Sequence, residues 1–487
     1  VSTDAGTDLT DIFEDYSAAG YYCEMLGNGG APARHTEGLR RQLSELGIAE
    51  LRRRAAMAER ELYNLGITFT LYSNGSTIDR ILPFDVIPRV LSKDDWDIIN
   101  RGVRQRVAAI NLFLHDIYHE QKIFKNGIIP AGLVLGNSNY RPEMQGVDLP
   151  RGTYVQICGI DIVRDEAGNF LVLEDNARTP SGVSYVVENR HLMLRAFPDL
   201  MAGMRVRPVS NYGVRLLDAM AEVAPAGVSD PQVALLSPGV FNSAYFEHVF
   251  LAREMGVPLV SGEDLFVDDD DRVFMRTTVG PAPVHVIYRR INDDFLDPEA
   301  FRKDSMLGVP GLVRAVRRGT VTLANAIGTG VADDKAVYAY MPRIIRYYLD
   351  EDAILQNVPT HICGEKEGLD HTLAHMADLV VKPVGEAGGY GVVVCPHSTA
   401  AEIEACRKQV LADPANYISQ PMINLSVSPT LVGSGIEPRH VDLRPFAITG
   451  DSTWVLPGGL TRVALPKGSL IVNSSQGGGS KDTWVLD

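Results

Sequence analysis

The sequence predicts a mixed α/β chain, α+β in places, built from more than one domain. Three observations predict it. The 487 residues are 45% hydrophobic and 22% charged, a globular composition at a length beyond one small core. Residues 208–300 contain a buried-type strand, VALLSPG, then a helix, SAYFEHVFLAREMG, and a second strand, PLVS. Residues 153–175 alternate instead as a hairpin, YVQICGIDIV and FLVLED around a DEAGN turn, and residues 378–395 repeat that plan around a glycine-rich loop.

The elements follow in order. Residues 1–65 read as helical, interrupted by a Gly/Pro turn at 27–33. Residues 66–150 mix short strands with a helix, SKDDWDIINRGVRQRVAAINLFLHDIYHEQ, for which Ser92 is the expected N-cap with acids in the first turn. Residues 335–350 read as helical, and short strands with Pro/Gly turns run from 440 onward. The last 15 residues are Gly/Ser-rich (NSSQGGGSKD) but end in WVLD, so the tail need not be disordered.

Charge narrows the function classes. With 46 basic and 61 acidic side chains the net charge is −15, and the densest basic run, RRR at 52–54, reads as a solvated helix face. No nucleic-acid partner is expected, and an enzyme of anionic substrates must concentrate its positive charge locally. No apolar run approaches the roughly 20 residues that span a bilayer. The acidic start VSTDAGTDLTDIFEDY lacks a secretory hydrophobic segment. The five cysteines (23, 158, 363, 395 and 406) are scattered without a CxxC. They fit reduced thiols, so a cytoplasmic location and no membrane partner are expected.

Several segments can carry chemistry. In VVKPVGEAGGYGVVV, 380–394, a β-branched run delivers Lys382 to a turn holding Gly385, Gly388, Gly389 and Gly391. Such a turn can close its N–H groups on phosphate, with the lysine as a point charge; a plain hairpin with a surface lysine is the alternative. In GIDIVRDEAGNFLVLEDNARTPSGVSY, Asp161 sits on one strand and Glu174 and Asn176, two apart, on the other. Residues two apart face one side of a strand, so these three can converge as an oxygen-only site for Mg²⁺. Asp175 points away. Arg444 in HVDLRPFAITG and Arg462 in GGLTRVAL are strand arginines suited to phosphate or carboxylate, and each could equally be a salt bridge. Lys335 begins a helix, where it opposes the macrodipole. The pairs His115/His119 and His371/His375 have helical metal-pair spacing but no third ligand at a recognisable interval. No GxSxG or reactive-looking cysteine is present.

In this cyclic order the segments resemble an ATP-grasp enzyme in its circularly permuted form. Lys335 and Lys382 resemble the two ATP lysines, and 385–391 the loop that covers the phosphates. YISQPMI resembles the adenine hinge, with Gln420 at its start; VDLRPF resembles the DxR strand, LTRVAL the later arginine, and IVNSSQGGG, with Asn473, the N…GG segment. The metal triad that should follow stands upstream instead, as Asp161, Glu174 and Asn176. LEDNARTPSGVSY and NSSQGGGSKDTWVL resemble the permuted type 2 group, related to glutathionylspermidine synthase-like ligases, across roughly 70–487. Two positions depart: Pro421 stands where many hinges carry an acid, and Gly159 where those ligases carry an arginine. No additional amidase domain with a cysteine nucleophile is expected.

The resemblance implies a helical N-terminal region (1–135), a permuted ATP-grasp part bearing the Mg²⁺ site (136–205), a pre-ATP-grasp-like α/β domain (206–330), a nucleotide lobe with its lid (331–425) and the rest of the ATP-grasp core (426–487). It also implies ATP with two Mg²⁺ ions, and ligation of a carboxylate to an amine through an acyl phosphate. Asp161, Glu174 and Asn176 would hold metal; Lys335, Lys382, the loop glycines, Gln420 and Asn473 would hold nucleotide. Arg462 and Arg444 would act on the transferring phosphoryl group. Arg289, Arg290 and Ser243, in the α/β segment, are the candidates for contacts to a small-molecule or peptide acid and amine. A phosphotransferase on the same fold, or a nucleotide-binding protein without turnover, are the alternatives.

Overall fold

A computed structural model describes residues 11–18, 20–28, 33–73, 76–385, 391–433, 435–469, 472 and 478–487. Among these the largest sheet has ten strands. Its central path runs Gln356–Asn357, Phe170–Asn176, Ile157–Arg164, Gly435–Arg444, Leu460–Val463, Gly479–Val485 and Phe84–Leu91. The order explains why the relevant residues are so far apart in sequence. The hairpin 157–176 lies beside the strands carrying Arg444 and Arg462, and the C-terminal strand pairs in parallel with 84–91. One sheet thus draws on both ends of the chain. Its C-terminal strand is buried throughout, so the tail is part of the core.

A four-stranded parallel sheet follows the order Thr322–Ala324, Val286–Arg289, Val233–Leu236 and Leu259–Val260. All but Leu259 of these strand residues are buried, as continuous Val/Leu/Ile runs require when both faces of a sheet are covered. The chain leaves 233–236 for 259–260 on one side and returns to 286–289 on the other. The carboxyl ends of 233–236 and 286–289 therefore flank a topological switch point, where open α/β sheets place ligands.

The remaining four-stranded sheet is antiparallel: His361–Ile362, Tyr417–Pro421, Leu379–Pro383 and Val393–Val394. The expected pairing across the glycine-rich loop is present, Val380 opposite Val394. A small core of Cys363, Met376, Val381, Cys395, Cys406 and Val410 supports it, and all five cysteines are buried and unbridged.

Two local expectations meet different outcomes. Ser92 caps helix Lys93–Ile117, accepting from the Asp95 N–H at 3.1 Å. The N-terminal 65 residues are less helical than expected: the described residues before helix Glu37–Asn64 form turns and isolated bridges, Cys23 to Val427 among them. Gly20 and Gly27, both at positive φ, break the helical path there.

Candidate active site

The hairpin brings its carboxylates together through strand register. Asp161 lies directly opposite Glu174, and Gly159 opposite Asn176. The Asn176 amide Nδ2 lies 3.4 Å from Asp161 Oδ1, which turns its oxygen away. Asp175 faces the other side, as alternation demands, where Arg106 grips it two-pronged in the interior.

Two arginines close on Asp161 from the neighbouring strands. Arg444 reaches it through both Nε and Nη2, the latter at 2.8 Å, and Arg462 Nη2 lies 2.7 Å away. Arg462 also bonds Asp442, its directly opposed neighbour, from Nε at 3.0 Å to each oxygen. Burial alone would raise the Asp161 pKa; Arg444 and Arg462 reverse this and hold it at about 2. For Asp442 burial outweighs Arg462 and the pKa is raised. Two arginines against two aspartates make a neutral buried lattice, which low dielectric tolerates when every member is paired. Asp442 is two residues from Arg444 on the same strand face, so the DxR pattern contained the signal for it.

Gly159 has a physical reason. A Cβ there would lie 3.2 Å from Arg444 Cδ and 3.4 Å from Pro180 Cβ. The Arg444 side chain crosses the space that a residue at 159 would occupy.

The lysines arrive from the other sheet and its approach. Asp334 N-caps helix Lys335–Ala339, accepting from Ala336 N–H and Val337 N–H, so Lys335 is its first residue. Lys335 Nζ lies 3.9 Å from Glu174 Oε1, and its backbone N–H donates at 3.4 Å to Val384 O, the residue just past the Lys382 strand. Lys382 donates to Gln420 Oε1 at 2.6 Å, and Gln420 Nε2 donates to Thr360 at 2.8 Å. Lys382 keeps limited solvent contact, yet protein surrounds it; desolvation lowers its pKa to about 8, with Glu174 raising it and Lys335 lowering it. Lys335, Lys382, Glu174, Asn176, Asp161, Arg444, Arg462 and Gln420 thus form one connected neighbourhood.

Of the loop glycines, Gly391 adopts φ 71° and Gly385 is exposed; Gly388, Gly389 and Asn473 lie outside the described residues. Arg289 and Arg290 do not open to a ligand. Arg289 is fully buried, donating to the carbonyls of Asn325, Ile291 and Ala326, with Asp293 at 2.7 Å. Arg290 bonds Pro180 O, Ser181 Oγ, Tyr288 Oη and Glu247. Ser243 lies in the loop before helix Tyr245–Met255, and no hydrogen bond joins it to this cluster among the described residues.

Three residues that sequence reasoning passed over shape the site. Asp333 accepts from the N–H groups of Ala177 and Arg178 at 2.5 and 3.0 Å; burial raises its pKa to about 6 against Arg178, and Glu174 adds to the rise. Asn325 joins the α/β sheet to both hairpin ends. Its Oδ1 accepts from Gln156 N–H and Ile157 N–H at 2.8 Å, and its Nδ2 donates to Ile157 O at 2.6 Å and Ala177 O at 2.7 Å. Glu247 holds the loop after the hairpin through Gly182 N–H and Ser184. Nothing in their own sequence neighbourhoods marks them.

Among the described residues no three His, Cys, Asp or Glu side chains assemble as a metal set, and no helix is long and apolar enough to cross a membrane. The oxygen donors that fit Mg²⁺ are Glu174 and the Asn176 amide, beside Asp161, whose oxygens are engaged by arginine. Such a set leaves coordination positions for phosphate oxygens and water, the usual manner of Mg²⁺.

A lysine-bearing antiparallel sheet adjoining a larger sheet that carries carboxylates and arginines is the ATP-grasp architecture. The chain belongs to the circularly permuted ATP-grasp type 2 family, which it matches across residues 88–464. It is 48% identical over 474 residues to an uncharacterized protein of Synechocystis sp. (strain PCC 6803), covering 97% of this chain and 98% of that protein. It is 45% identical over 479 residues to a Frankia alni protein named "Putative glutamate--cysteine ligase 2-3", covering 97% of this chain and 54% of the relative. This chain therefore spans about half of the Frankia protein. A glutathione synthetase-like effector from Globodera pallida, solved in its apo form, superposes with a TM-score of 0.57 at 11% identity, over 89% of this chain and 96% of that one. At that identity the likeness shows the fold alone.

Proposed function

We propose that this chain is an ATP- and Mg²⁺-dependent carboxylate–amine ligase that forms an amide through an acyl phosphate. The observation that carries the reading is the convergence of Lys335 and Lys382 on Glu174, from positions 161 and 208 residues further along the chain, with Lys335 at 3.9 Å. Cations facing an oxygen-donor set, on a fold of this family, suit a nucleotide triphosphate with its metal.

Glu174 and Asn176 would hold Mg²⁺, with Asp161 beside them; the ion would neutralise charge on the β- and γ-phosphates. Lys382 and Lys335 would position the phosphates, and Gln420 would release Lys382 to do so. The substrate carboxylate oxygen attacks the γ-phosphorus, the bond to the β,γ-bridging oxygen breaks, and ADP leaves with its electron pair. The amine nitrogen then attacks the acyl carbon, the bond to the phosphate oxygen breaks, and phosphate departs, the amine proton passing to it. No side-chain nucleophile is needed; positioning and charge stabilisation are. Arg444 and Arg462 hold Asp161 in place within this neighbourhood. The loop 385–391 would exclude water from the acyl phosphate.

The Frankia relative's name makes glutamate and cysteine the first acid and amine to try. The test is ADP release over a matrix of acids (amino acids, peptides) and amines (amino acids, polyamines), with mass spectrometry of the product. An amide product with stoichiometric ADP supports the ligase. A stable phosphorylated product without an amine would instead identify a phosphotransferase.

A further inference from the structure

Resting on the ligase reading, we infer that Arg178 is the residue that binds the anion of the acid substrate, first as carboxylate and, after reaction, as product phosphate. Arg178 lies two residues beyond Asn176, in the turn leading to helix Val183–Ala196. Its backbone is fixed on both sides: its N–H donates to Asp333 at 3.0 Å and its carbonyl accepts from Asn325 Nδ2 at 3.3 Å. The residue is placed rigidly at the metal-hairpin end, but its side chain is not bound in the same way.

The other arginines around Asp161 and at the end of strand 286–289 are committed to the fold and largely closed to solvent; Arg290 Nε is also buried without a hydrogen-bond partner, but its side chain is only 1% exposed. Arg444 and Arg462 are committed to Asp161 and Asp442, Arg289 to three carbonyls and Asp293, Arg290 to Pro180, Ser181 and Glu247. Among the described residues Arg178 has only a 3.4 Å bond from Nη1 to Asn139 and an ion pair with Asp333 at 3.7 Å from Nε. That Nε is buried without a hydrogen-bond partner, while 30% of the side chain remains accessible. Leaving donors of a cation unmet in a partly desolvated position is unfavourable. A guanidinium whose Nη2 carries no hydrogen bond among the described residues, on a residue two positions beyond Asn176, is available to receive a carboxylate or phosphate oxygen. Asp333, its weak partner, holds the turn with its other oxygen, so an incoming anion need not displace a strong ion pair.

The probe is inorganic phosphate, titrated calorimetrically into the full chain saturated with Mg²⁺·ADP. The wild type should bind phosphate, Arg178→Ala should weaken that binding roughly tenfold or more, and Arg178→Lys, which keeps charge without the fork, should fall between them. Affinity for Mg²⁺·ADP alone and the melting temperature should stay at wild-type values in both variants. Unchanged phosphate affinity in Arg178→Ala overturns the assignment while leaving the ligase intact, and so does a parallel loss of ADP affinity, which would mark a structural role. A wild type that binds Mg²⁺·ADP but no phosphate also overturns it. Failure of the wild type to bind Mg²⁺·ADP overturns the ligase reading and this assignment together.

Discussion

Arg444 and Asp161, 283 residues apart in sequence, meet across the central sheet in a two-pronged ion pair that Arg462 completes from the next strand. Asp161 is 2% exposed and the arginine side chains 14% and 9%. Removing one charge from such a lattice leaves the others buried and uncompensated, at a cost of about 3–5 kcal/mol. Asp161→Asn should therefore unfold at markedly lower urea concentration. Glu174, at 26% side-chain exposure, is different. Glu174→Gln should change stability by less than about 1 kcal/mol yet abolish Mg²⁺-dependent ADP formation. Equal stability of Asp161→Asn and wild type would sink the ion-pair account; full activity in Glu174→Gln would remove it from the metal donors.

Lys382 supplies a pH signature with two opposite signs. Its folded pKa, about 8, lies below the unfolded lysine value of about 10.4. Between those values the unfolded chain binds the extra proton, so this residue's contribution to stability rises with pH through that window; its burial penalty is fully present below about 8. Nucleotide affinity should move the other way, because the ammonium form attracts phosphate. ATP binding should weaken from pH 7 to 9, with proton uptake visible near pH 8 as buffer-dependent binding enthalpy. Lys382→Met should bind ATP weakly and show neither uptake nor slope. A pH-independent affinity in the wild type would exclude Lys382 as a phosphate contact.

Gly159→Ala tests the space that Arg444 fills. The added methyl would sit 3.2 Å from Arg444 Cδ, close enough to displace the guanidinium from Asp161. We expect ADP-forming turnover to fall several-fold and stability to drop by roughly 1–3 kcal/mol, the usual cost of overpacking. Wild-type turnover and stability together would show that Arg444 tolerates the shift.

How much of this site is legible in the sequence depends on where each signal resides. The hairpin carboxylates are readable because two-residue alternation fixes which side chains share a face, and register then sets Asp161 against Glu174. The lysine strand is readable because β-branched runs flank a glycine cluster. The pairing of Asp333 with the Ala177 N–H, 156 residues away, has no local pattern. Arg289 shows the converse. A strand-end arginine reads the same whether it meets a ligand or, as here, three carbonyls of its own fold. In the N-terminal region, helical composition lost to glycines at positive φ and to bridges with Val427, which no local propensity contains.

Asn325 offers the last test, because it couples the α/β sheet to the hairpin without touching any proposed ligand. Its side chain satisfies Gln156 N–H, Ile157 N–H, Ile157 O and Ala177 O, groups at the start of one hairpin strand and just past the end of the other. Asn325→Ala leaves these buried groups without a partner, and at about 1–3 kcal/mol for each unmet group the loss should exceed 3 kcal/mol. Asn325→Asp keeps the acceptor for the two N–H groups but sets a carboxylate oxygen against two carbonyls, so it should be at least as unstable as Ala. Because Asn176 directly precedes Ala177, the surviving folded fraction should also bind Mg²⁺·ADP more weakly, and raising Mg²⁺ should recover part of that loss. Urea unfolding with and without Mg²⁺·ADP separates the two effects. A variant that loses stability but binds Mg²⁺·ADP like the wild type would confine Asn325 to joining the two sheets and exclude it from placing the hairpin for metal.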